Sequence, residues 1–172
     1  MRETDQLSGR LDGRFAGYAL DPLGEQAEYD PQSSSISSAY VSLFNDYVRK
    51  TLNYGGEQSY IPLSFQVNGG WDFKHQNPFG QAFPGATNVL PDLAIVMGQN
   101  PTMKVFLCGG YYDLATAFYA AQFQMQHLPM DNKLQANISY GFYPSGHMVY
   151  ANEASAKALH DDTAKFIQSS HK

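Results

Sequence analysis

Two residues with complementary chemistry follow strand-like stretches in the second half of the chain. Asp113 comes after the apolar run 105–108 and a Gly-Gly pair, and His147 comes after residues 135–142 and a Pro-Ser-Gly turn. A carboxylate that accepts a hydrogen bond from Nδ1 fixes the tautomer of an imidazole and stabilises its protonated form. The histidine can then take a proton from a serine hydroxyl and return it to the leaving group. Asp113 and His147 are therefore a candidate catalytic pair.

Such a pair requires neighbouring parallel strands, and the surrounding pattern predicts them. Residues 105–108 (Val-Phe-Leu-Cys) form an uninterrupted apolar run, which is typical of a parallel strand covered on both faces. Residues 135–142 predict a second strand, and apolar spacing predicts helices over 33–52, 89–99, 115–127 and 152–169. From residue 88 onward the order is helix, strand, helix, strand, helix. This order indicates part of a doubly wound α/β sheet, in which functional side chains lie at the carboxyl ends of the strands.

The first half of the chain is less regular. Residues 1–32 predict extended segments and turns, because glycines and prolines interrupt any period. Helix 33–52 carries one apolar face, formed by Ile36, Tyr40, Leu43, Phe44, Tyr47, Val48 and Leu52. Residues 57–87 are rich in aromatic residues, glycine and proline. Their aromatic rings could line a cleft, or they could attach an irregular region to the core.

The predicted sheet has too few strands to cover its most apolar strand. Two parallel strands cannot bury a run as apolar as 105–108 on both faces and along both edges. We therefore expect further strands elsewhere, and we interpret the chain as the C-terminal part of a larger protein. Cys108, the single cysteine, is expected to pack in the core and has no partner for an intrachain disulfide.

A nucleophile for the pair is missing from the sequence. The chain contains no Gly-x-Ser-x-Gly turn, and its upstream serines fall on the predicted helix or in loops. Ser145 lies only two residues from His147, which is too close in sequence for the usual geometry. In the chain order Ser, Asp, His, the serine is expected upstream of Asp113. The sequence therefore predicts at most two of three catalytic groups.

Charge and composition argue against several other classes of function. With a net charge of −5 and no basic run, the chain has no electrostatic footprint for nucleic acid. No stretch approaches the roughly 18 apolar residues of a membrane span, and the chain as given opens without a signal peptide. His75, His127, His160 and His171 do not pair with carboxylates at metal-ligand spacing. We therefore predict neither a metal nor a cofactor.

Each member of the pair has an equally good structural explanation when taken alone. Asp113 could be a turn residue or the N-cap of the following helix, because aspartate caps helices well. His147 could be a histidine at a strand end that is bonded to backbone. Their joint placement after successive strands favours the catalytic interpretation over these two.

The motifs around the pair resemble the C-terminal end of the serine carboxypeptidase family, particularly its bacterial members. The resemblance is carried by Gly109-Gly-Tyr-Tyr-Asp113-Leu-Ala-Thr and Tyr143-Pro-Ser-Gly-His147-Met-Val-Tyr150. In that family the aspartate stands in a Gly-x-x-Asp turn and the histidine in a Gly-His-Met motif. The resemblance implies that Asp113 and His147 are catalytic, and that Met148 borders the pocket of the leaving group.

The N-terminal run Gly9-Arg-Leu-Asp-Gly-Arg-Phe-Ala-Gly-Tyr18 resembles the region between the family's nucleophile and its last strands. The resemblance therefore implies an α/β-hydrolase fold, with residues 1–87 in an insertion or lid region and 88–172 in the C-terminal part of the hydrolase domain. It also implies a peptide substrate, an acyl-enzyme intermediate and a secreted or periplasmic location. The chain departs from the family by lacking the Gly-Glu-Ser-Tyr-Gly motif, the oxyanion residues and the residues that bind the terminal carboxylate. Tyr150 replaces a proline of many eukaryotic members, which favours the bacterial branch.

Two other functions stay open at this stage. Another α/β hydrolase, such as an esterase or an acyltransferase, would share the same pair. A non-catalytic binding module would use the aromatic 57–87 region, and Asp113 and His147 would then be structural. The second alternative predicts that the two side chains face apart.

Overall fold

Within the residues that the structure describes, the protein is a mixed α/β structure with one parallel strand pair. The computed structural model describes residues 5–76, 82–83 and 87–170. The strands are β1 (Gln6–Ser8), β2 (Ala16–Tyr18), β3 (His75–Gln76), β4 (Ala82–Phe83), β5 (Val105–Gly110) and β6 (Ile138–Tyr143). The α-helices are α1 (Pro31–Asp46), α2 (Phe65–Gly69), α3 (Leu90–Gln99), α4 (Phe118–Gln126) and α5 (Glu153–Ser170). A π-helical turn, Tyr47–Thr51, extends α1, and 3₁₀ turns cover Asn132–Asn137 and Val149–Ala151.

Strands β5 and β6 pair in parallel along their whole length. The register runs from Val105 opposite Ile138 to Gly110 opposite Tyr143, so both strands end at the same level. The predicted parallel pair is confirmed. Strand β6 begins later than the predicted residue 135, because Asp131 caps a 3₁₀ turn over Asn132–Asn137 by accepting the backbone N–H of Lys133.

The predicted helices are present with shifted ends. Helix α1 begins at Pro31, because Asp30 accepts the N–H of Ser33 and proline suits the first turn. Helix α4 begins at Phe118, three residues after the predicted start. The intervening residues form a turn on the Asp113 carboxylate, so the interpretation of Asp113 as the N-cap of this helix is wrong.

The buried core lies against one face of the strand pair. It consists of Ala94 and Met97 of α3, Met125 and Leu128 at the end of α4, and Ile138 of β6. Helix α5 packs on the other face, where Phe166 stacks on Phe106 with ring centroids 5.4 Å apart. The strand pair is therefore packed between this core and α5.

Cys108 is exposed, so the prediction that it packs in the core is wrong. Its strand has a single neighbour, because β5 and β6 form a two-stranded sheet within the described residues. A strand of this composition is normally flanked on both sides. The two-stranded sheet leaves apolar strand surface exposed that a wider sheet would cover.

Candidate active site

The structure brings Asp113 and His147 together. The loops that carry them leave the carboxyl ends of β5 and β6, and Nδ1 of His147 lies 2.9 Å from Oδ2 of Asp113. The Asp113 side chain is 5% exposed, and that of His147 is 46% exposed. The carboxylate is therefore the buried, fixed member, and the imidazole presents its far edge to the surface.

The Asp113 carboxylate is fully used as an acceptor. Oδ1 accepts the backbone N–H groups of Ala115 and Thr116, and Oδ2 accepts the Thr116 hydroxyl at 2.6 Å in addition to His147. Burial raises the pKa of Asp113, but the bonds from Thr116, His147 and Ala115 outweigh it and hold the pKa below its usual value. An ionised Asp113 requires Nδ1 to be the donor, so in the neutral imidazole Nε2 is the nitrogen that can accept a proton.

Thr116 is a site residue that the sequence interpretation missed. Its hydroxyl donates to Asp113 and also lies 3.2 Å from Nδ1 of His147. The Asp-x-x-Thr spacing of an Asx-type turn was the available signal. The turn interpretation of Asp113 and the pairing interpretation are both correct here, because Oδ1 accepts the backbone N–H groups of the turn while Oδ2 is bonded to His147.

Glycines allow the two loops to touch through their backbones. A Cβ on Gly110 would lie 2.2 Å from the carbonyl oxygens of Ser145 and Gly146, and the N–H of Tyr112 donates to the Ser145 carbonyl. A side chain at residue 110 would therefore push the loop of Asp113 away from the loop of His147.

Residues 9–14, which we call the clamp segment, lie across both loops. The N–H of Leu114 donates to the carbonyl of Arg10, and the N–H of Gly13 donates to the carbonyl of Tyr112. On the other loop, the N–H of His147 donates to the carbonyl of Leu11 at 2.7 Å. The irregular N-terminal region is thus part of the site's framework, which the sequence did not reveal.

Met148 lines an apolar groove. The groove has a volume of about 600 Å³, and α1 forms its longest wall. Its lining includes Ile36, Tyr40, Phe44, Tyr60, Leu63 and Met148. The apolar face predicted for α1 therefore borders an open groove, and most of its large side chains are exposed.

The aromatic 57–87 region contributes unevenly to the groove. Tyr60 lines it and packs on Phe44 with ring centroids 4.9 Å apart, whereas Trp71 and Phe73 are exposed elsewhere. Part of this region therefore does border a cleft, and part of it neither lines the groove nor reaches the core.

A serine nucleophile is not found beside His147 among the described residues. Ser145 is buried, and its hydroxyl donates to the carbonyl of Met148. Within the part of the chain that the structure describes, Nε2 of His147 makes no hydrogen bond. The geometry is that of an acid–base pair whose outer nitrogen is available to another group.

The other described histidines form local contacts. His75 pairs with Asp92 at 2.8 Å, which the sequence interpretation missed, and His127 bonds the Phe123 carbonyl at the end of α4. His171 lies outside the described residues. Over residues 5–76, 82–83 and 87–170, no three His, Cys, Asp or Glu side chains cluster as a metal site requires, and no helix is long and apolar enough to span a membrane.

Compared with models of known protein families, with curated proteins and with solved structures, the chain gives no match. The serine carboxypeptidase relationship stays a prediction.

Replacing Thr116 with valine should weaken the site in a pH-dependent way. A folded-state pKa below the ordinary value of about 3.9 stabilises the protein above that value, and this stabilisation is lost as the pH falls through the folded pKa. Thr116→Val removes one donor and raises the pKa of Asp113 toward its ordinary value. Urea unfolding should show a loss of about 1–2 kcal/mol at pH 7 that shrinks as the pH falls below about 4.

Thr116→Ser is the matched control, because it keeps the hydroxyl and should retain most of the stability at pH 7. A stability loss in Thr116→Val that stays constant at every pH would show that only packing was lost, which would contradict the assigned role.

Proposed function

We propose that the chain is the C-terminal part of a serine carboxypeptidase-like α/β hydrolase, which releases C-terminal residues from peptides. The observation that carries this proposal is the Asp113–His147 hydrogen bond at the carboxyl ends of two neighbouring parallel strands. This is the place where open α/β sheets carry their functional groups. The buried carboxylate and the exposed imidazole have the burial that the two roles require.

In the proposed mechanism, His147 acts first as a base and then as an acid. Nε2 takes the proton of a serine hydroxyl while the serine oxygen attacks the scissile carbonyl, and Asp113 stabilises the imidazolium. The proton then passes to the departing amine as the C–N bond breaks, which leaves an acyl-enzyme. Water deprotonated by His147 attacks the ester, and the returned proton regenerates the serine.

The nucleophile belongs, in this proposal, to a part of the protein outside these 172 residues. Three features support that view. The sheet of β5 and β6 has two strands within the described residues, Cys108 on β5 is exposed, and Nε2 of His147 makes no hydrogen bond to a serine there. The missing strands would bring a strand–serine–helix turn to the same edge. Residues 1–87 would then be the insertion region and 88–172 the end of the hydrolase domain.

The groove supports a substrate with a large apolar side chain at the scissile end. Its lining includes Met148, the neighbour of His147, and exposed apolar side chains of α1. Burying an apolar side chain there would gain about 1.5–3 kcal/mol from removal of its surface from water. We therefore propose C-terminal Phe, Leu or Met as preferred residues.

The function is tested on the whole protein that carries this chain, using N-acylated dipeptides and a parallel set of simple esters. His147→Ala should lower kcat for peptides by on the order of 10⁴-fold, because the serine loses its base. His160→Ala is the control, since its side chain is exposed and hydrogen-bonds only Asp161 within the described residues. Ester hydrolysis without peptide hydrolysis would assign an esterase, and full peptidase activity in His147→Ala would contradict the proposal.

The groove's role is tested by filling it. Ser37 of α1 lines the groove, whereas its neighbour Ser38 does not. Ser37→Phe should raise KM for substrates ending in Phe by about tenfold and change KM for those ending in Ala much less. Ser38→Phe adds the same ring outside the groove and should leave both values unchanged. Equal effects of the two substitutions, or equal effects on both substrates, would exclude the groove as the binding site.

A further inference from the structure

The clamp segment contains a charged pair that makes no part of the Asp113–His147 contact. Asp12 is fully buried and forms a bidentate ion pair with Arg14. Nε of Arg14 donates to Oδ1 at 3.0 Å, and Nη2 donates to Oδ2 at 2.7 Å. The backbone N–H of Arg14 also donates to Oδ1. This two-pronged geometry fixes the plane of the guanidinium group, which a lysine ammonium could not do.

The guanidinium group contacts both loops of the candidate site. Nη1 donates to the carbonyl of Pro144, in the loop of His147, at 3.0 Å. The same group lies 4.4 Å above the ring of Tyr112, in the loop of Asp113, in cation–π geometry. One planar group, held by Asp12, therefore touches the residue before Asp113 and a residue three before His147.

The carboxylate end of the pair is held close to the histidine loop. A Cβ on Gly146 would lie 2.3 Å from the Leu11 carbonyl and 2.4 Å from Cβ of Asp12, so the loop approaches the clamp segment as closely as backbone allows. The Asp12 pKa is raised by burial but lowered overall, by Arg14 and by the N–H of Gly146. An ionised Asp12 keeps Arg14 in its contacts.

The clamp segment is itself held in place by the carboxylate of Asp30. Oδ2 of Asp30 accepts the N–H groups of Arg10 and Leu11 at 2.6 and 3.1 Å, and its Oδ1 caps α1 through Ser33. Arg14 therefore belongs to a segment that is fixed to the start of α1 through Asp30.

We propose that Arg14, oriented by Asp12, is a positioning residue that holds the Asp113 and His147 loops at hydrogen-bonding distance. The strand pair fixes where the loops begin, but Asp113 and His147 lie three and four residues beyond the strand ends, where the loops are held by contacts with each other and with the clamp segment. A displacement of about 1 Å is enough to impair a catalytic pair. The proposal rests on the proposed function, in which Asp113 and His147 are the catalytic pair. The hydrogen bond between them, however, forms without substrate.

The test is histidine NMR and amide exchange on the whole protein that carries this chain. In the unchanged chain, the Nδ1 proton of His147 should give a slowly exchanging low-field signal through its bond to Asp113. In Arg14→Gln this signal should weaken or disappear, and the His147 amide, which donates to Leu11, should exchange at least about tenfold faster. Arg14→Lys keeps the charge without the fork and should fall between the two.

Arg10→Gln is the matched control, since it removes the same charge from the same segment. The Arg10 side chain is exposed and makes no hydrogen bond or ion pair within the described residues, so neither His147 signal should change. An Arg14→Gln chain that is folded, and that keeps both signals of the unchanged chain, would overturn the proposal.

If Arg14→Gln does not fold, amide hydrogen exchange in the unchanged protein tests the positioning role instead. The amides of Gly13, Leu114 and His147 each join the clamp segment to a loop, and they should open together as urea is added. Independent opening of the His147 amide would overturn the positioning role. Neither result depends on peptidase activity, so failure of the proposed function would be seen separately.

Discussion

Strands β5 and β6 end side by side because they pair in parallel without a register shift, and the candidate site depends on this constraint. A slip of one residue would turn every side chain of one strand to the opposite face and displace one loop along the other. In the observed register, Gly110 and Tyr143 are opposite each other, and the two loops continue in contact. The buried carboxylate of Asp113 then meets a histidine that lies 34 residues later in the chain.

The layers of the site differ in how they are held. The strand pair is fixed by ladder hydrogen bonds and by the core against α3 and α4. The loops are fixed by polar contacts, both within themselves and to the clamp segment. Asp113 and Asp12 are buried carboxylates with a full set of donors, and each lies within one of these polar clusters. Such clusters rigidify a site when every polar group in them is hydrogen-bonded. Loss of one donor leaves a buried acceptor unpaired, which lowers the stability of the protein.

Local sequence signals predicted β5 and β6, the helices α1, α3, α4 and α5, and the meeting of Asp113 with His147, because periodicity and strand-end turns are properties of short stretches. The clamp was not predictable in this way, since Arg14 and Pro144 are 130 residues apart and no pattern links them. The exposure of Cys108 and of the α1 face was also missed. An apolar stretch predicts a surface that favours burial, but it does not say which part of the protein covers it.

The central proposal, that this chain supplies two members of a serine triad, is tested most directly by labelling the whole protein with a fluorophosphonate and locating the adduct by mass spectrometry. We expect one labelled serine, in a Gly-x-Ser-x-Gly turn outside these 172 residues, and its labelling should fall sharply in His147→Ala. An adduct on a serine within this chain, or labelling that does not depend on His147, would contradict the proposed triad.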